Sequence, residues 1–207
     1  MGLRKYIGSQ LRKPSGFFGR HLTSRFLNWI NKDLNRQTLA SLSLTRGDTV
    51  LEVGFGAGDL ISRIAPVLVD GSIAGVDFSP EMVELCTRRF GPLIAARRLE
   101  LRCASAESLP YAADHFTRVC TVNTVYFWAD PARCMRELRR VLRAGGRLVV
   151  GFVPRSTVGN GSATQYGLTL YDADEMRRVL EGVGFRDVEI ISGTDRRGEF
   201  ICAIGTK

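Results

Sequence analysis

The chain has 207 residues, 44% of them hydrophobic and 24% charged, the proportions of a soluble globular protein with room for a sizeable core. No run of eighteen apolar residues occurs, which excludes a membrane-spanning helix, and Met1 to Tyr6 lack the apolar core of a signal peptide. Five widely spaced cysteines with no Cys-x-x-Cys pair read as reduced core residues of a cytosolic protein, and with only His21 and His115 beside them no metal site is expected.

The net charge of +8 is gathered at the front, where residues 1–36 hold eight basic side chains against Asp33 alone. Residues 1–16 read as an irregular arm. Phe18, Leu22, Phe26, Trp29 and Ile30 then recur at helical spacing with arginines between them. Two readings fit this amphipathic helix: a docked helix with a solvated basic face, or a lid that meets an anionic substrate or lipid surface. A second helix is expected over Leu34 to Leu44. Residues 1–46 thus form a basic arm and helical lid ahead of a main domain at 47–207.

Val50 to Val53 is a short aliphatic run of buried-strand type, followed by Gly54, Gly56 and Gly58 and a helical pattern from Leu60 to Val69. Glycines between strand and helix let a ligand approach bare backbone, though the same turn also serves plain packing. Glu52 stands just before the glycines, where it suits a cation and not a phosphate. A dinucleotide fingerprint would place its third glycine at position 59, which here is Asp59. The residues therefore favour a cationic ligand such as S-adenosylmethionine (SAM) over NAD.

A second strand, Ser72 to Val76, ends at Asp77, and Ser79, Pro80 and Glu81 start a helix as cap, first residue and dipole partner. Asp77 is either a capping aspartate or an acceptor for both ribose hydroxyls; with Glu52 and the glycines one strand earlier, the ribose role is favoured. Leu99 to Cys103, Arg118 to Val122 and Arg147 to Val153 are further strands. Asp130-Pro131 opens a basic helix to Leu142, and Tyr171 to Val183 is another. Val188 to Ile191 and Phe200 to Gly205 close the chain as a hairpin. The pattern predicts an α/β fold: a doubly wound, mostly parallel seven-stranded sheet whose hairpin leaves one edge strand antiparallel. Such sheets bind ligands beyond the carboxyl ends of their strands, where Glu52, Gly54, Asp77, Ser105 and Asn123 all fall.

Four segments carry a resemblance: Val50 to Gly58, Gly75 to Met82, Ala106 to Pro110 and Arg140 to Leu148. With them, residues 47–207 resemble a class I SAM-dependent methyltransferase, nearest to the small ubiquinone/menaquinone-type enzymes. The resemblance implies that Glu52 anchors the methionine end of SAM, which Gly54, Phe55, Gly56 and Gly58 cradle. It also implies that Asp77 holds the ribose, that Phe78 and Met82 flank the adenine, and that Ala106, beside Glu107, offers its amide to the adenine edge. Asn123 would contact the methionyl end. Ser105 stands where the family often has Asp, so its contact to the adenine amino group would be uncharged.

Methyl transfer from a sulfonium is an in-line displacement, and positioning alone can supply about 7–11 kcal/mol of the barrier. No acid–base pair is required; Tyr126, His21 and Glu107 are the candidates if a base is used. Phe18, Tyr126, Phe127 and Trp128 are expected at the acceptor, stabilising a cation or simply packing. The expected acceptor is small or lipid-like, such as a quinone precursor. A phospholipid headgroup amine, or a SAM-binding protein without turnover, are the alternatives. Nucleic acid is disfavoured despite a pI near 9.7, because Asn123-Thr-Val-Tyr126 lacks the Asn/Asp-Pro-Pro-Tyr signature of base methylation. The basic head at 1–36 suggests contact with an anionic membrane surface.

Overall fold

Strand β1, Thr49–Val53, is buried at four of its five positions, as an aliphatic run between two helical layers must be. The computed structural model describes residues 31–158, 168–196 and 198–207. Helix α1 (Lys32–Leu42) precedes β1, and α2 (Asp59–Ile64) follows it. The helix expected to reach Val69 stops at Ile64, because Pro66 has no N–H to continue it. Then come β2 (Ser72–Asp77), α3 (Pro80–Arg89), the short α4 (Gly91–Ala95) and β3 (Leu99–Cys103). Strand β4 (Phe116–Val122) leads through a 3-10 turn at Val125–Phe127 into α5 (Pro131–Val141) and β5 (Leu142–Phe152). The chain closes with α6 (Arg155–Val158), α7 (Ala173–Gly182), β6 (Arg186–Asp195) and β7 (Gly198–Thr206).

The seven strands lie in the order β3-β2-β1-β4-β5-β7-β6. β1 pairs in parallel with both β2 and β4, so the chain reverses its direction of winding at β1. That switch point is where a ligand crevice opens. One expectation is corrected here. β7 is the antiparallel strand, but it lies inside the sheet, between β5 and β6, and the edge strand β6 runs with the others. Burial explains the order: Phe200 to Gly205 is continuously buried, whereas β6 alternates between exposed and half-buried residues.

Each sheet face has its own core. Met135 and Leu138 of α5 and Met176 and Leu180 of α7 cover one; Leu34 and Leu42 of α1, Leu60, Ile61 and Ile64 of α2 and Cys86 of α3 cover the other. Two helix starts follow the sequence rules closely. The Ser79 hydroxyl accepts from the Met82 N–H at 3.3 Å, and the Asp130 carboxylate accepts from the Arg133 N–H at 2.9 Å. All five cysteines are free, four of them buried. Among the described residues no helix is long and apolar enough to cross a membrane, and no cluster of His, Cys, Asp and Glu could hold a metal ion.

Candidate active site

The carboxyl ends of β1, β2 and β4 open into a cavity of about 740 Å³. Its floor is β1. The Glu52 side chain is buried, and among the described residues its Oε2 has no hydrogen-bond partner. Burial first, then the carboxylates of Asp77 and Asp59, hold its carboxyl well above the usual range, against the opposing pull of the Ile61 N–H. A buried carboxylate without a counter-charge is costly. This one faces a cavity in which a cation would relieve the cost.

Above it the glycine turn is held by Asp77 at the end of β2. The Gly56 N–H donates to Asp77 Oδ2 at 2.8 Å, and the Ser79 N–H donates to Oδ1 at 3.0 Å. Burial raises the Asp77 pKa, and the bonds from Ser79, Gly56 and Phe78 oppose that rise. Each oxygen keeps a lone pair for a further donor. Phe78, by contrast, lines the cavity with half its surface exposed, an apolar face open to a flat ligand.

Of the twelve residues expected to hold the cofactor, eleven line this one cavity: Glu52, Gly54, Phe55, Gly56, Asp77, Phe78, Met82, Ser105, Ala106, Glu107 and Asn123. Gly58 does not. A Cβ there would lie 2.5 Å from the Phe90 ring and 3.1 Å from Cys86 Sγ, so Gly58 serves the packing of α2 against α3. Ser105 is exposed on the rim, where its hydroxyl accepts from the Glu107 N–H at 3.2 Å. His115 is exposed beside Tyr111 and Phe116, at the start of β4 and away from the crevice.

Much of the remaining lining is apolar: Tyr126, Phe127, Trp128, Val153, Leu168 and Leu170, with Thr157 and Cys134. Burial pushes the Cys134 thiol up to about 12, which leaves it a neutral wall. The Tyr126 hydroxyl, a candidate base, is committed to the protein. It accepts from the Val153 N–H at 2.5 Å, and its one O–H is shared between Asn123 Oδ1 at 3.0 Å and the Val153 carbonyl at 3.1 Å. It therefore ties the end of β4 to the end of β5. Tyr126→Phe should lower the melting temperature, since the Val153 N–H loses its partner, while turnover falls less than about tenfold. A loss of 10² or more in turnover would restore Tyr126 as the base. Phe18 and His21 lie outside the described residues.

Asn31 and Asn35, which belong to no motif, and Asp59 also line the cavity. The Asn35 amide donates to Asp59 Oδ2 at 2.8 Å, and Arg63 reaches the same oxygen at 2.8 Å. The Asn123 amide donates to Asn31 Oδ1 at 2.9 Å. Their one sequence signal is spacing: asparagines four apart share a helix face.

Residues 51–150 match the model of the methyltransferase domain family. The uncharacterized methyltransferase YdaC of Bacillus subtilis is 29% identical over 177 residues, which span 86% of this chain and 93% of that protein. The ubiquinone/menaquinone biosynthesis C-methyltransferase UbiE of Geotalea uraniireducens is 28% identical, with 77% and 80% covered. In fold, a SAM-dependent methyltransferase of Aquifex aeolicus superposes with a TM-score of 0.69 at 18% identity, over 84% of this chain and 89% of that one.

Proposed function

We propose that the chain is a class I SAM-dependent methyltransferase that transfers the methyl group to a small apolar or lipid-like acceptor, such as a quinone precursor or other aromatic. One observation carries the acceptor class: besides the acids, glycines and open Phe78 ring that follow β1 and β2, the cavity is lined by the apolar side chains of Phe127 and Trp128, which follow β4, and of Leu168 and Leu170. The similarity to UbiE supports the same reading.

The residues fit the cofactor. The Glu52 Oε2, without a partner among the described residues, offers a site for its ammonium or sulfonium charge, and Asp77 for its ribose. When bound, SAM supplies the activated methyl on its sulfonium. The chain's own residues do the rest. Gly54 and Gly56 give backbone access, Asp77 and Phe78 orient the nucleoside, and the aromatic wall excludes water from the line of attack.

Incubating the protein with methyl-labelled SAM and quinols, simple phenols and phospholipids tests the acceptor. Label in a quinol or phenol supports the proposal. Label only in a phospholipid amine would replace it with headgroup methylation, and label in none would sink the acceptor class. Asp77→Ala should weaken SAM binding about 100-fold by calorimetry, since it removes two bonds to a charged acceptor and frees the Gly56 N–H. Unchanged affinity would put the ribose assignment in error.

A further inference from the structure

Helix α1 lies outside the matched domain, yet it sends two side chains into the cavity. Asn31 stands at the position that caps this helix, and asparagine is among the best capping residues. Its side chain makes no capping bond. It is instead spent across the crevice, accepting at Oδ1 from the Asn123 amide at 2.9 Å. One turn later Asn35 is 6% exposed on the apolar face of α1, beside Leu34 and Thr38. A buried amide there is expensive unless paired. It is paired with Asp59, on the opposite lip at the start of α2.

We propose that Asn31 and Asn35 are positioning residues that fasten α1 across both lips of the crevice and so shape the subsite for the amino-acid end of the cofactor. The proposal deepens the SAM reading of the cavity and rests on it. Asn35 and Arg63 both bond Asp59 Oδ2, which fixes that carboxylate and leaves Oδ1 for an ammonium beside Glu52. Asn31 and the Tyr126 hydroxyl hold the two ends of the Asn123 amide, which fixes the backbone turn at Asn123, where φ is +55°. A left-handed residue of this kind persists only when its surroundings over-determine it. Asp77, the residue assigned to the ribose, is held by other groups, the Gly56 and Ser79 N–H.

Two ligands separate this role from a merely structural one. S-adenosylhomocysteine carries the amino-acid end, and 5′-methylthioadenosine lacks it. Calorimetry on the full chain should show Asn31→Ala with Asn35→Ala losing about tenfold or more in affinity for the first ligand and less than about twofold for the second. Asn35→Asp, which loses the donor to Asp59 Oδ2 and sets two carboxylates together, should not bind like wild type. If the double variant does not fold, Asn31→Ala alone, at a half-buried helix end, carries the same comparison. Equal losses for the two ligands, or no loss for either, would overturn the proposal. Wild-type protein that binds neither ligand would instead overturn the SAM reading of the cavity itself, and the proposal with it.

Discussion

Glu52→Gln is expected to raise the stability of the ligand-free protein and, in the same step, to remove most of its affinity for SAM. Both effects come from one buried carboxyl whose pKa is held well above the usual range by burial, Asp77 and Asp59. In the unfolded chain that carboxyl ionises near pH 4.3. The folded protein therefore holds a proton that the unfolded chain has released. The stability this confers is full below the unfolded value and is lost as pH rises through the folded one. Glutamine has nothing to titrate and keeps the bond from the Ile61 N–H. Wild type and variant should melt together in acid and diverge as pH rises, the variant melting higher by about 2–4 °C for each kcal/mol recovered. Binding goes the other way. A cationic ligand favours ionised Glu52, so binding releases a proton, and wild-type affinity should fall as pH drops. The variant should bind about 100-fold more weakly, with no proton release. Melting curves across pH, with titrations in two buffers of different ionisation heat, measure both. A variant that melts below wild type at neutral pH and still binds SAM would mean that Glu52 has a partner and a purely structural task.

The parts of the site legible in sequence are those built from consecutive residues. Glu52, the glycine turn, Asp77 and the Ser79-Pro80 helix start each obey a local rule, and strand alternation places them on one crevice. What could not be read depends on contacts between distant segments. Gly58 looks like its two neighbours until Phe90, from the end of α3, is seen to fill the space beside it. Tyr126 has the chemistry of a base until the Val153 N–H, 27 positions away, takes its hydroxyl. Asn31 and Asn123 are 92 positions apart, and nothing in either neighbourhood announces their bond. The place of β7 was hidden for a related reason: a hairpin pattern fixes that two strands are antiparallel, but the burial of Phe200 to Ile204 decides which of them goes inside.

Gly54→Ala should be the most damaging single methyl that can be added to the crevice. Gly54 has φ +76°, a backbone that costs an L-residue about 1–2 kcal/mol. The added Cβ would also lie 2.1 Å from Thr124 Cγ2 and 3.3 Å from Thr124 Cβ. Thr124 cannot easily give way. Its hydroxyl is bonded to that of Thr121, which in turn donates to the Val53 carbonyl at 2.8 Å. Nor can Gly54 withdraw, since its N–H donates to the Val76 carbonyl at 2.7 Å. Overpacking of this kind costs about 1–3 kcal/mol. The sum, about 2–5 kcal/mol, is a large share of a domain's usual 5–15 and lowers the melting temperature by roughly 4–20 °C. A second substitution divides the two costs. Thr124→Ser deletes Cγ2 but keeps the hydroxyl, so it should restore the overpacking part and leave the backbone part. Gly56→Ala is the matching control, because its φ is +50° but none of the described residues lies within 4 Å of its Cβ. The double variant Gly54→Ala/Thr124→Ser should therefore melt close to Gly56→Ala and well above Gly54→Ala. Strict additivity of the two changes would show that the methyl of Thr124 is not what Gly54 makes room for.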